Sequence, residues 1–556
     1  MHKSFSMRSP RVQKAAVCLF FALTLAVGLF TVADYGRPWD ESDEMDILRM
    51  NLWEYARTFG LDESLFTRWA AEERVTISPL TPISESIEQD HGIAAFYPLA
   101  GPMLDLRLTE HSRMLLWHGY CWLLFTLGCA ALYACCRELG LSRGASLLGA
   151  LFLLFSPRFF AEGHYNNKDV VLLSLSLCVL WQGLRLMKKP SVSRAVLFAL
   201  AGAFAANTKV AGAALWGLCA LFVLLRQLLY RRFNRRTAWL GGLTLLSFLI
   251  FYVLLTPALW ASPSEFLSYL LGNALAFGRW ENYVRFRGVT FLLANERLPW
   301  YYLPYMMLAT TPLWALLFIA VGQGAALRRC FGRPQALGWN DHMLGLLLCT
   351  LLWLLPLSFA LLTRTTVYNG WRHFYFLYGF LLILAAYGAS ALLGCLKRRP
   401  RLKAFFCALL GLALAFTGAG LVTQHPYQFA YYQPAVRLLS QPDDLEMDYW
   451  NLSVMDALTE IAKQNEGVLS IGYGDLWAEA GLRRTLPALS PQLQARFRLC
   501  EEPQAADYVL ENPTYALFSG FAPEEGQSLA LEIASYGSPI MRVYQNDRSL
   551  SEEKQP

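Results

Sequence analysis

Two carboxylates, Asp40 and Glu41, stand side by side just past the first apolar run, in an acid-rich stretch that continues through Asp43, Glu44 and Asp46. Adjacent carboxylates near a membrane surface can act as a general base or help to hold a divalent metal. The same residues also suit a solvated acidic loop that caps a helix. A second polar cluster runs from Pro157 to Asp169 and packs Arg158, Glu162, His164, Asn166, Asn167, Lys168 and Asp169 into one short hairpin between apolar runs. A plain turn needs only residues such as Asn and Gly. Both charge signs, a histidine and two amides in so short a span point to binding or catalysis, against the simpler reading of a turn with a helix cap at Asp169.

Three further features carry chemistry. Lys209 interrupts an apolar stretch at Asn207-Thr208-Lys209. An ionisable residue near the membrane interior is a functional candidate by default, although a lysine can also snorkel to the interface. The loop from Trp260 to Tyr301 holds Arg279, Trp280, Glu281, Tyr283, Arg285 and Arg287 and ends in Leu298-Pro299-Trp300-Tyr301-Tyr302. Basic and aromatic residues there suit phosphate and sugar contacts, and equally an aromatic belt. The segment Thr363 to His373 contains Tyr368, Arg372 and His373. A guanidinium offers a bidentate fork to phosphate, and His373 can donate to the same group.

The elements that must position these residues are membrane helices. Of 556 residues 55% are hydrophobic and only 16% charged, where a soluble domain carries roughly a quarter charged residues. The apolar residues also come in runs of the length that spans a bilayer, about 20 residues. These runs are Ala15–Ala33, Leu115–Cys136, Ala145–Pro157, Val170–Met187, Ala195–Ala206, Ala211–Leu225, Leu240–Trp260, Tyr302–Leu327, Met343–Leu362, Phe374–Leu396 and Ala404–Val422. The first is too long for a signal-peptide core of about 7–15 residues and reads as a retained helix. Two of them, Ala145–Pro157 and Ala195–Ala206, are short for a span.

Threading the runs alternately places the N-terminus, Arg137–Arg143, Arg185–Arg194, Arg226–Arg236, Arg328–Arg333 and Lys397–Lys403 on one side, and each is basic. That is the cytoplasmic signature. The net charge of +6 therefore reports topology and not nucleic-acid binding. The expected architecture is an all-α polytopic membrane protein of about eleven helices, with a cytoplasmic N-terminus and a long first outer loop over residues 34–113. Amphipathic stretches in that loop, Met45–Phe59 and Leu61–Ala71, suit short helices on the membrane surface. From His425 hydropathy falls. Strand-like runs at Val468–Tyr473, Ala506–Glu511 and Ile540–Tyr544 alternate with helix-like runs at Ser453–Gln464 and Gln527–Tyr536. This predicts a small α/β outer domain over residues 425–556, following a membrane domain over residues 1–424. The 12 cysteines lie mostly in apolar runs and form no zinc spacing.

The order of these motifs resembles the GT-C superfamily of membrane glycosyltransferases, and within it the glycosyltransferase family 39 type, which includes the protein O-mannosyltransferases and the bacterial aminoarabinose transferases. The strings that carry the likeness are Ser156-Pro157-Arg158-Phe159-Phe160 with Asn167-Lys168-Asp169, Leu298-Pro299-Trp300-Tyr301-Tyr302, Tyr368-Asn369-Gly370-Trp371-Arg372-His373, His425-Pro426-Tyr427-Gln428 and Asp448-Tyr449-Trp450-Asn451-Leu452-Ser453. They are similar to a bacterial subgroup with an outer C-terminal domain.

The resemblance implies a polyprenyl-phosphate sugar donor. It implies transfer with inversion to a lipid, glycan or protein acceptor at the outer face of the bacterial inner membrane. It puts Asp40 or Glu41 in the first acidic position, as base or orienting group, and Asp169 or Glu162 in the second. Arg158, Lys168, Arg372, His373 and Lys209 would hold the donor phosphate, and His164, Asn167, Tyr301, Tyr368 and Arg279 would line the substrate. No cofactor is required by the sequence, and a divalent metal stays open, as some relatives in the superfamily use one. Asp448-Tyr449-Trp450 reads as a packing hinge beside the active face. The alternative is a transporter or flippase of a lipid-linked or anionic substrate, but no internal repeat supports it. A non-enzymatic assembly subunit is a third reading.

Overall fold

In the computed structural model, residues 10–71, 79–275, 282–332, 338–441 and 444–547 are described. Among them, nine helices are long and apolar enough to cross a membrane, and the chain is a multi-pass membrane protein. Two shorter apolar helices, Arg143–Leu154 and Val192–Thr208, fill the places where the sequence has its two short runs. The helix Asp169–Lys188 is central, with 83% of its most apolar window buried, whereas Arg11–Asp34 and Pro400–Thr423 are each 11% buried. These outer helices show Phe30, Phe405, Leu412 and Phe416 to the surroundings. A face of that kind is stable only in lipid.

Helix pairs approach closely through small residues. Gly322 and Gly388 meet backbone to backbone: a Cβ on Gly388 would come within 2.6 Å of Gly322 N. Close glycine crossings of this sort let membrane helices gain van der Waals contact. Polar ties add to the packing at the basic end, where Arg226 holds Asp341 at 2.8 Å and Lys188 holds Glu138 at 2.9 Å.

Proline sets breaks that hydropathy hides. The single run expected over Tyr302–Leu327 is two helices, Tyr302–Thr310 and Leu313–Phe331. Thr311, extended at φ −97° and ψ 131°, separates them because the following Pro312 disfavours helical backbone before it. In the same way Arg235–Leu255 ends before Pro257, and Arg143–Leu154 before Pro157.

The long loop after the first span is helical in part. Glu41–Phe59 closes on Gly60 in a left-handed cap, and Ser64–Ala71 follows. Glu41–Phe59 buries polar residues (Glu41, Glu44, Asp46, Arg49 and Glu54) as well as apolar ones. It is a packed element rather than a simple surface float.

The C-terminal sheet has five strands in the order β4-β3-β5-β7-β6, numbered after the hairpin of β1 (Tyr283–Phe286) and β2 (Val289–Leu292). They are β3 (Leu469–Tyr473), β4 (Phe497–Leu499), β5 (Tyr508–Glu511), β6 (Gln527–Ser535) and β7 (Ser538–Asn546). β3 runs parallel to β4 and β5, and β7 antiparallel to β5 and β6. The helix expected over Gln527–Tyr536 is instead strand β6. Leu529, Leu531 and Ile533 alternate, and Tyr536-Gly537, both at positive φ, form the tight turn that favours a hairpin. Val454, Leu458, Ile461, Ile471, Leu510 and Val543 form this region's own core. Phe429, Tyr432, Tyr449 and Trp450 pack instead with the membrane helices.

Candidate active site

Asp40 is the residue just before the helix Glu41–Phe59. Its side chain is 39% exposed, and its Oδ2 accepts a hydrogen bond from Arg372 Nη1 at 2.9 Å. Glu41 comes one residue later, which turns a helical side chain by roughly 100°. Its carboxylate is fully buried, 2.6 Å from His118 Nε2 and 3.4 Å from Arg37 Nε. Of the adjacent pair, only Asp40 reaches Arg372. Glu44 lies one turn on, so it shares the Asp40 face, and it accepts from Lys168 Nζ at 3.1 Å.

Asp169 opens the central helix Asp169–Lys188. A helix N-terminus favours a carboxylate. Asp169 Oδ1 accepts from Lys209 Nζ, and Oδ2 lies 4.0 Å from Arg372 Nη1. Asn166 caps this start: its Oδ1 accepts from the amides of Asp169 at 2.8 Å and Lys168 at 3.3 Å. Lys209 sits at the extended break between Val192–Thr208 and Val210–Leu229. Burial lowers its pKa, and the Asp169 carboxylate opposes that shift. The ion pair with Asp169 settles its role over simple snorkelling.

Arg372 follows a sharp bend in which Asn369 and Gly370 both have positive φ, a conformation that asparagine and glycine tolerate best. The amide of Gly370 donates to Tyr302 Oη at 3.0 Å and fixes the bend. The guanidinium stacks over Trp450 at 4.7 Å and lies 5.2 Å from the centre of the Tyr368 ring. Burial disfavours its charge, but Asp40, Tyr368 and Asp169 outweigh that and raise its pKa. His373 stands edge-on to Tyr368 at 4.5 Å, and burial lowers its pKa well below the usual histidine value. It enters the site as a neutral ring.

The remaining residues singled out from the sequence lie deeper or elsewhere. Glu162 is fully buried: Oε1 accepts from Tyr375 at 2.7 Å and from Tyr449 at 3.2 Å, and Oε2 from Asn166 at 2.7 Å. Burial raises its pKa. It props Asn166 and hence the Asp169 turn from below. Arg158 is also buried. Its Nε donates to the Tyr431 carbonyl at 3.0 Å, its head lies over Tyr432 at 4.9 Å, and Nη1 and Nη2 find no partner among the described residues.

His164 does not line a substrate site. It is stacked between Tyr35 and Trp122 at 4.2 Å each, with Nε2 3.0 Å from Thr31 Oγ1 and Nδ1 3.0 Å from the Phe160 carbonyl. Burial pushes its pKa down to about 3, so it is a neutral core residue that ties the first span to the hairpin. Asn167 is buried and its amide nitrogen is unpartnered. Tyr301 packs beside Trp300 and Phe286, away from Arg372, while its neighbour Tyr302 lines a cavity of about 340 Å³. Pro299, Trp300, Leu361, Arg364 and Val367 also line that cavity, at the end of the span Asp341–Thr363. Arg279 lies outside the described residues.

Several neighbours were not singled out from the sequence. Glu44 pairs Lys168, Trp450 floors Arg372, and Tyr449 and Tyr375 hold Glu162. Glu446 accepts from the Arg285 amide at 3.1 Å, and burial pushes its carboxyl up to about 7 against the pull of Arg158 and Arg372. The signal for Glu44 was available in the i, i+4 spacing from Asp40. The tyrosines and Trp450 gave none, because their partners are hundreds of residues away.

A cluster of Asp40, Asp169, Arg372 and Lys209, flanked by Lys168 and Glu44, therefore lies at the end of the bundle opposite the basic loops. Residues 114–260 match the family described as dolichyl-phosphate-mannose-protein mannosyltransferase. The matched segment contains Arg158, Lys168, Asp169 and Lys209, but covers under half of the chain. Among solved structures, apo ArnT from Cupriavidus metallidurans is 13% identical with a TM-score of 0.47, over 97% of this chain and 99% of that one. ArnT from the same organism bound to undecaprenyl phosphate is 15% identical with a TM-score of 0.47, over 96% and 99%. The Archaeoglobus fulgidus oligosaccharyltransferase is 11% identical with a TM-score of 0.44, over 89% and 69%. No curated protein matches.

The donor set does not fit a metal. Asp40 and Asp169 are each engaged by cations, and no group of three or more His, Cys, Asp and Glu side chains converges among the described residues. The chemistry below is routed through side chains alone.

Proposed function

We propose that the chain transfers a glycosyl group from a polyprenyl-phosphate-linked donor to a lipid, glycan or protein acceptor, at the outer face of a bacterial inner membrane. The observation that carries this reading is the position of Arg372 Nη1 between two carboxylates, 2.9 Å from Asp40 and 4.0 Å from Asp169. Lys209 and Lys168 stand beside it. In the ligand-free state every one of these cations is neutralised by an acid. A donor phosphate brings oxygens that match the guanidinium fork better than a single carboxylate oxygen. Its arrival on Arg372 releases Asp40.

The released Asp40 carboxylate then takes the proton from the acceptor nucleophile. The nucleophile attacks the anomeric carbon, the bond from that carbon to the phosphate oxygen breaks, and its electron pair stays on the phosphate. Arg372 and Lys209 stabilise that leaving group, and one displacement inverts the centre. A positioned base contributes typically 10²–10⁴-fold, and a preorganised charge on the leaving group about 10²–10³-fold. Asp169 keeps Lys209 and Arg372 charged and aimed. The cavity bordered by Trp300, Tyr302 and Leu361 is continuous in sequence with the Tyr368–Arg372 bend through Val367, and suits a prenyl chain arriving sideways from the bilayer. The basic loops at the other end orient the N-terminus to the cytoplasm and the sheet to the periplasm.

The family match over residues 114–260 supports the same reaction class. The test is transfer of label from radiolabelled polyprenyl-phosphate sugars in proteoliposomes of the full chain, supplied with membrane lipids, glycans and proteins. Chain-dependent appearance of label in a phosphate-free product is expected. Movement of intact donor across the vesicle membrane, with no bond broken, would instead favour the transporter.

A further inference from the structure

A niche opens directly beside Asp40. Its membrane-side wall is Trp39, Asn369, Arg372 and Trp450, and its opposite wall is Trp477 and Tyr515. The second wall belongs to the sheet-bearing C-terminal region. Trp477 is set in the first turn of the helix Leu476–Thr485, where Asp475 accepts from its amide at 2.9 Å. Its ring stacks on Tyr515 at 5.1 Å and 3°. Both are pinned to the loop that carries Trp450: Asn451 Nδ2 donates to the Trp477 carbonyl at 3.2 Å, and Tyr515 Oη donates to the Tyr449 carbonyl at 3.0 Å. The same helix reaches the first outer loop, with Arg484 over the Trp39 ring at 4.7 Å and 3.3 Å from Asp43.

Two donors in this niche lack acceptors. Trp450 is 3% exposed and its Nε1–H has no partner, and Arg372 is 7% exposed with its Nε–H likewise unpartnered. Buried donors are rarely left so. The Asp40 carboxylate and the Asn369 amide add acceptors next to them. Alternating donors and acceptors beside flat apolar rings are what a sugar ring asks for, because it presents hydroxyls at its rim and C–H groups on its faces. A prenyl chain would leave the donors unpaired, and a second phosphate would face the Asp40 charge.

We infer that this niche is a saccharide-ring subsite shared between the membrane helices and the C-terminal region, with Trp450 and Arg372 donating to ring hydroxyls and Trp477 and Tyr515 forming its apolar wall. The ring belongs either to the donor's glycosyl group or to a glycan acceptor, and that choice rests on the transferase reading above.

The test uses the full chain in nanodiscs and a panel of free methyl glycosides (mannoside, galactoside, N-acetylglucosaminide and arabinoside), read by saturation-transfer NMR and tryptophan fluorescence. At least one glycoside should bind in the millimolar range. Trp477→Ala and Tyr515→Ala should weaken it about tenfold or more, while Trp477→Phe stays within about threefold because it keeps an aromatic face. Trp450→Phe, which keeps the ring and removes only the N–H, should lose roughly threefold to tenfold. If the alanine variants fail to fold, the two phenylalanine variants decide. Wild-type binding to no glycoside, or loss-free binding by Trp450→Phe together with Trp477→Ala or Trp477→Leu, overturns the subsite. In the transfer assay, a KM rise for the donor in Trp477→Phe or Tyr515→Ala assigns the ring to the donor, and a rise for the acceptor assigns it to the acceptor. Glycoside binding without transfer from any polyprenyl-phosphate sugar sinks the transferase reading and leaves the subsite standing.

Discussion

Arg372 Nη1 lies 2.9 Å from Asp40 Oδ2, across 332 positions of chain. The pair joins the loop after the first span to the bend before the tenth apolar run, and it gives the protein a charged centre made of segments that share nothing locally. An ion pair this well formed is also a latch. Neither partner is free for chemistry until something replaces the other.

Replacing the guanidinium by another cation separates charge from shape. Arg372→Lys keeps the positive charge but offers no planar fork and stacks less well on Trp450. The expected result is a donor KM raised about tenfold or more, with a lower kcat, in the radiolabelled transfer assay. An unchanged KM would show that the donor phosphate docks elsewhere.

The two neighbouring acids should behave differently. Glu41 is buried against His118 and Arg37, and removing one partner of such a group costs about 3–5 kcal/mol. Glu41→Gln should therefore lower the thermal unfolding midpoint in detergent and the yield of folded protein. The kcat of the folded fraction should change little.

His164 is a second stability residue. Its ring is enclosed by Tyr35 and Trp122 and bonded to Thr31. Loss of a buried aromatic costs about 3–5 kcal/mol, so His164→Ala should lower the unfolding midpoint without moving the pH profile of transfer, since a ring that titrates at about 3 is neutral throughout the working range.

Glu446 makes a pH prediction. Its folded carboxyl is pushed up to about 7 by burial from a model value of 4.5. Between those values the folded state holds more protons than the unfolded state, so this group's contribution to stability is full below the unfolded value and falls as pH rises through 7. The full effect is roughly 3 kcal/mol. Glu446→Gln should flatten the fall in unfolding midpoint from pH 5 to pH 8. The same slope in the variant would assign it to other buried acids such as Asp448.

What the sequence shows and what it hides follow from the range of the forces. Spans and their alternation are local, written in apolar runs and basic loops, and the helices follow them down to the two short ones. Pro312 and Pro257 broke runs that hydropathy alone joins. Asp40, Asp169, Lys209 and Arg372 stood out because charges beside membrane helices are costly without a partner. The choice between Asp40 and Glu41 depended on where a helix begins, and one residue there turns a side chain from cavity to core. His164 has the composition of a site residue and the surroundings of a core one, which only tertiary packing reveals. Strand β6 was hidden because a short amphipathic run satisfies either period.

The account stands most directly on Asp40→Asn, measured for initial transfer rate and donor binding in the same membranes. The rate should fall about 100-fold or more, while the donor binds as well as before or better, because Arg372 no longer has a carboxylate to release. Wild-type transfer by Asp40→Asn would contradict the role given to Asp40.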